Sequence, residues 1–145
     1  MKTNKLLLMA ALHFLSMYIL MYTMVAELNH IYININKAYM AGVMTAPMLI
    51  IEIILMGSMY KDKKNLSYIF GASIALVVAL FVFIRQQTLV GNKEFLKSMI
   101  PHHSSAILMC NQASITEPEI ASLCEDIVKT QKEEISIMEA MLEKY

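Results

Sequence analysis

Tryptophan is absent from this 145-residue chain, and glycine, proline and cysteine are scarce, at four, three and two residues. Each shortage excludes something. With so few glycines there is no phosphate-binding loop and no cofactor fingerprint. The two cysteines, Cys110 and Cys124, make no CxxC zinc pattern, and one pair is no disulfide scaffold. Charge of one sign is missing too: 12 basic residues balance 12 acidic ones. Without a basic patch, a nucleic-acid partner is excluded. No nucleophile–base–acid arrangement is visible, so the sequence is not read as an enzyme.

Apolar residues and methionine are abundant. The chain is 57% hydrophobic with a mean hydropathy of +0.52 and contains 14 methionines; a soluble domain sits nearer half apolar. The excess lies in residues 6–84. Residues 1–90 carry seven basic and three acidic side chains, and residues 91–145 carry five and nine. The acidic C-terminal part reads as a solvated helical surface with a mild preference for cations.

Leu6 to Val25 is an apolar run of 20 residues, long enough to cross ~30 Å of hydrocarbon. It exceeds a signal-peptide core, and no small residue stands two positions before Ala26, so it reads as an uncleaved span. Ala38 to Met59, interrupted by Glu52, is a second run, and Tyr68 to Ile84 a third, stopped by Arg85. Tyr32, Tyr39, Tyr60 and Tyr68 lie near the ends of these runs, as interfacial aromatics do. Lys2, Lys5, Lys61, Lys63 and Lys64 fall on one side, whereas the first loop, Glu27 to Lys37, carries only Lys37. The positive-inside rule then puts the N-terminus in the cytoplasm and residues 91–145 across the membrane, in a bacterium the periplasm. Gly71, Ala75 and Ala79 recur every four residues and predict a face of the third span packed on another span.

After Gly91-Asn92, residues Lys93 to Gln112 read as an amphipathic helix, either begun near Ser98 or kinked at Pro101. Thr116-Glu117-Pro118-Glu119 is a helix start with the pattern of a capping box, and the second helix runs to about Glu143. A connection this short makes the two helices antiparallel neighbours. The predicted fold is all-α: three transmembrane helices, about 6–26, 38–59 and 67–85 within residues 1–90, followed by a soluble antiparallel helical hairpin over residues 91–145. A lone helix pair cannot cover its own apolar stripes; it needs the outer ends of the spans or a second hairpin. A homo-oligomer, dimer or higher, is therefore expected through the hairpin, two hairpins making a four-helix bundle, with membrane lipid as the other partner.

The most specific local pattern is Met99, His102, His103, Ala106, Met109 and Cys110 at helical spacing, faced by Cys124, Gln131, Glu134, Met138 and Met141. Thioether groups favour Cu(I), and imidazole suits copper or zinc. Read plainly, methionine is core filler and the histidines are half-exposed polar residues. A di-iron site would need Glu-x-x-His pairs, and Met99 and Ile100 occupy the positions of the glutamates. The spans repeat the theme. Met40, Met44, Met48, Glu52 and Met56 follow at four-residue intervals, and His13, Met17, Met21 and Met24 lie along one face of the first span. Ionisable Glu52 and His13 inside spans are functional candidates by default, so these rows form either an intramembrane metal path or packing surfaces. Cys110 and Cys124 are placed to form a disulfide or to serve as thiolate ligands; both readings stay open.

The stretch Phe95-Leu-Lys-Ser-Met99-Ile-Pro-His102-His103-Ser-Ser-Ala106-Ile-Leu-Met109, with Pro118-Glu119-Ile120 and then Gln131, Glu134-Ile135 and Met138, resembles the domain of unknown function 305 family over residues 92–143. The resemblance implies a ferritin-like helical fold in bacterial periplasmic or membrane proteins, some of which bind copper through Met and His. Carried over, it points to Met99, His102, His103, Met109 and Met138 as ligands, with Gln131 and Glu134 nearby. Here there is one hairpin where soluble members have a longer bundle with more Met and His, so a complete site is expected to require two copies, and Cys110 and Cys124 fall outside the pattern. The expected function is a membrane-anchored copper-binding protein of periplasmic metal homeostasis or resistance, in the bacterial inner membrane. Cu(I) is favoured over zinc or another divalent metal. The alternatives are an interaction protein whose hairpin mediates oligomerisation, and a component of copper transport.

Overall fold

The structure, a computed structural model, describes residues 3–145. Lys2, counted above among the orienting lysines, lies outside them. The described residues form five α-helices, with no strand among them: α1 Thr3–Leu20, α2 Ile35–Met56, α3 Lys63–Gln86, α4 Asn92–Gln112 and α5 Pro118–Leu142. α1, α3 and the stretch Ile35–Met59 are each long and apolar enough to cross a membrane.

The chain divides into two compact units. The first contains α1, α2 and α3, whose buried contacts gather Leu6, Leu49, Tyr60 and Leu66. At Gly42 the helices approach closely: a Cβ there would stand 2.7 Å from Leu80 Cδ1. Asp62 caps α3 by accepting from the Asn65 backbone N–H at 3.0 Å. The face α3 buries is Leu66, Ser73 and Leu80, at seven-residue spacing. The small-residue face expected to pack lies elsewhere: Gly71 and Ala75 are exposed, and nothing comes within 4 Å of a Cβ built at Gly71. At 100° per residue, Gly71 and Ser73 point about 160° apart, and the bulkier residues win the interface.

The first apolar run does not stay helical to residue 26. α1 ends at Leu20, and Met21–Met24 turn. Lys37 Nζ donates to the Met21 carbonyl oxygen at 2.7 Å, supplying a cation where a helix C-terminus favours one.

The second unit is α4 and α5 together with residues 22–35, which a sequence division at residue 90 leaves with the spans. α4 runs unbroken through Pro101. Proline has no N–H to give the carbonyl four residues back, here Lys97, and Asn34 Nδ2 donates to that oxygen at 3.3 Å instead. α5 has Pro118 at its first position, as expected, but Glu117 is the N-cap and makes no side-chain cap bond, so the Thr116 capping box is not formed. Pairings run in opposite senses along the two helices. Cys110 joins Cys124, His103 meets Glu134, and Asn92 bonds Tyr145. Leu96, Ile100, Ile107, Ile135 and Met138 form the core between them, with Ala26 and Tyr32 packed against it from residues 22–35.

Candidate metal site

In α4 the two adjacent histidines part company, because neighbours on a helix point about 100° apart. His103 is buried and fully engaged. Its Nδ1 lies 2.9 Å from the Met99 carbonyl oxygen, and its Nε2 lies 2.7 Å from Glu134 Oε2. A carbonyl only accepts, so Nδ1 carries a proton, and the second bond holds a further proton between imidazole and carboxylate. As folded, His103 offers no lone pair to a metal. His102 is exposed.

Met99, half-buried, stands one turn before His102, and exposed Met109 stands two turns after it. Ala106 lies between, so these four share one flank of α4. Met99 and His102 are separated by ~4.5 Å along the axis, close enough to reach one ion. His102 and Met109 are ~10 Å apart, and helical side chains lean toward the N-terminus, so one chain does not bring Met109 to the same ion. Met138 is buried in the core, where Met99 packs against it, and Gln131 is half-buried. Cys110 and Cys124 form a disulfide with Cα atoms 5.3 Å apart, and in that state neither is a thiolate ligand. Among the described residues no three His, Cys, Asp or Glu side chains gather into a metal-binding group. A site on one chain therefore reduces to one imidazole and thioether sulfur, the donor chemistry of a soft cation rather than of zinc.

The other face of the helix pair is covered by residues 22–35, the segment that leads from α1 into α2. Ser104 is fully buried, and its Oγ accepts from the Ala26 N–H at 2.8 Å. The same oxygen lies 2.8 Å from His30 Nδ1. Tyr22 donates to the Tyr32 carbonyl at 2.7 Å, and the Ile35 N–H donates to Glu94 Oε2 at 3.0 Å. Burial, then the charges of Glu139 and Glu143, push the Tyr32 phenol above its ordinary value. His30 lines a pocket of ≈ 240 Å³ with Glu27, Lys132 and Glu139, two carboxylates against one ammonium. The one sequence signal for this docking is Pro101, which orphans the Lys97 carbonyl and leaves it to a donor from elsewhere.

In the three-helix unit, His13 and Met48 line one groove of ≈ 590 Å³ together with Met9 and Lys5. Glu52 Oε1 accepts from the Tyr60 hydroxyl at 3.1 Å. Met40 and Met44 are exposed, Met17 and Met21 are half-buried, and Met56 packs on the buried Leu6 cluster. The row on α2 therefore changes environment along its length. Four-residue steps rotate by about 40° each, so Met56 has turned about 160° from Met40. Met24 lies beyond the end of α1, in the turn, and does not continue the face of His13.

Taken together, the molecule is an all-α protein with three helices able to span a membrane and a helix pair bearing an exposed Met–His flank. Residues 86–143 match the family described as Domain of unknown function (DUF305), and the chain belongs to that family. It is 30% identical over 147 residues to "Uncharacterized protein L153" of Acanthamoeba polyphaga mimivirus, a match covering 99% of this chain and 95% of the viral protein. No solved structure matches significantly.

Proposed function

We propose that this chain is a membrane-anchored soft-metal-binding protein, with Cu(I) as cargo and the α4–α5 pair as its holding domain. The observation that carries this is the placement of Met99 and His102 one turn apart on an uncovered flank of α4, with Met109 two turns further on. Thioether with imidazole selects Cu(I) over hard cations. The paired lysines of the N-terminus and of the α2–α3 connection support a cytoplasmic N-terminus. The helix pair then works across the membrane, where a disulfide is stable. We assign the chain no catalytic role.

The test is retention of copper by the full-length protein in detergent, loaded anaerobically with Cu(I) and without a thiol reductant. Replacing His102 by Ala is expected to lower retention at least about tenfold, as removal of a ligand does. Replacing His103 should act only indirectly, through the pairing with Glu134. Unchanged retention in His102→Ala refutes the site.

A second reading, transport, is favoured by the groove shared by His13, Met9 and Met48. It requires copper flux in vesicles that falls when Met48 or Glu52 is replaced. The reading as an interaction module rests on the exposed apolar residues of the helix pair and predicts assembly without metal retention.

A further inference from the structure

The helix pair has one covered face and one bare one. Residues 22–35 cover the first through Ala26, His30, Tyr32 and Asn34. On the second, α4 presents Phe95, Met99, His102, Ala106 and Met109, and α5 presents Ile120, Leu123, Ile127, Thr130, Glu134, Ile137 and Met141. Both sets advance by alternating steps of three and four, the spacing of a coiled-coil seam. Phe95, Met109, Ile120, Leu123, Ile137 and Met141 are all exposed.

The cross-helix pairings set the levels of the two seams. Met109 stands level with Ile127, Ala106 with Thr130, His102 with Glu134, Met99 with Ile137, and Phe95 with Met141. Four layers are apolar or small, and one is polar. Glu134 gives one oxygen to His103, yet its side chain remains 47% exposed. The outer edge of the α5 seam is acidic, with Glu119, Asp126 and Glu133 at seven-residue spacing. The outer edge of the α4 seam is Ser98, Ser105 and Gln112, without a charge.

We propose that the bare face is closed by a second copy of this chain, related by a two-fold axis along the helices, so that Met99 and His102 of both copies form one soft-cation site. The proposal rests on the metal-binding reading above and names its missing partner. The charge pattern selects the second copy and its orientation. An axis along the helices lays α4 of one copy on α5 of the other, level for level. The acidic edge then meets the uncharged edge, and His102 meets the partner's Glu134. An axis across the helices would set α5 on α5 and bring the two acidic edges together, which repels. One chain supplies only Met99 and His102 to an ion; two chains supply two imidazoles and two thioethers in adjacent layers. The pair is thus half of a four-helix bundle whose site is incomplete until both halves meet.

The experiment measures mass by light scattering and bound copper on the full-length protein in detergent, loaded with Cu(I) as above. The expected result is a dimer holding one copper per two chains. Ile127→Glu and Met141→Glu place a charge in seam layers that hold neither Met99 nor His102, and should raise the dimer dissociation constant roughly tenfold or more. Copper retention should fall with it. Thr130→Leu adds apolar surface to the seam and should hold the dimer together at lower concentration. A monomeric wild type that keeps copper on each chain overturns the shared site and leaves the metal-binding reading standing. Dimers unaffected by all three seam variants overturn the interface. Seam variants that become monomers yet keep wild-type copper overturn the sharing of ligands. A dimer that responds as expected but holds no copper keeps the interface and overturns both the shared site and the metal-binding reading.

Discussion

Replacing Ser104 by Ala should loosen residues 22–35 on the helix pair while leaving the helices folded. The hydroxyl is fully buried and serves two partners at 2.8 Å, the Ala26 N–H and His30 Nδ1. Alanine fits the space, so no overpacking complicates the change, but both partners lose their bond. A buried polar group left unpaired costs about 1–3 kcal/mol. Two such groups give about 2 kcal/mol at the low end, because opening the segment lets water satisfy both. Since 1.4 kcal/mol is a factor of ten, amide exchange from residues 22–35 should accelerate about thirtyfold, measured by hydrogen–deuterium exchange of the full-length protein in detergent. The remaining anchors, Asn34 on the Lys97 carbonyl and Glu94 on the Ile35 N–H, keep the segment from detaching entirely. Ser105→Ala is the control, because that hydroxyl bonds only the Pro101 carbonyl within its own helix. Exchange in 22–35 that is the same in Ser104→Ala and Ser105→Ala would refute the docking as derived.

Other consequences follow from the same contacts. Before reduction neither cysteine should react with a thiol reagent, since both are in the disulfide. Reducing it opens a loop of sequence separation 14, for which chain entropy gives about 3 kcal/mol, so exchange at the α4–α5 connection should rise about a hundredfold; rapid labelling of the untreated protein would count against the bridge. Glu134→Ala should destabilise the pair by about 1–3 kcal/mol, because it leaves a buried imidazole nitrogen without its partner. Glu134→Gln should recover most of that loss, its amide donating to a neutral His103, and equal melting of the two variants would contradict the pairing. The Tyr32 phenol is held above its ordinary value of 10.0 by burial and by the charges of Glu139 and Glu143. Its neutral form therefore contributes stability that is fully present below pH 10.0 and is lost as pH rises through the raised value. Alkaline titration should loosen residues 22–35 in the wild type and less so in Tyr32→Phe.

The sequence made legible what depends on length and on period. Three apolar runs became three helices long enough to span a membrane, and the two amphipathic stretches became α4 and α5. Two of the misreadings share one physical cause, the geometry of rotation around a helix. Met40 to Met56 at four-residue spacing looks like a single row, but it winds from exposed positions to the Leu6 cluster. Gly71, Ala75 and Ala79 looked like an interface, yet Leu66, Ser73 and Leu80 make it from the other side of α3. The end of α1 was hidden because apolar residues continue past it; the Met21 carbonyl just beyond that end is met by Lys37, distant in sequence.

His102 and His103 show the same effect at the site itself. Written side by side they read as a pair of equivalent ligands. A single helical step sends one into a bond with Glu134, and the other onto the flank with Met99. On the metal-binding reading proposed above, that division leaves one ring of the His-His pair for the metal. The inner histidine fixes the register of α5 against α4, and this register sets Glu134 level with His102. In the dimer proposed above, the acidic partner for a neighbouring copy's His102 is thus positioned by the residue next to it. A change at His103 should accordingly disturb assembly and metal retention together, whereas a change at His102 should remove the metal and leave the helix pair intact.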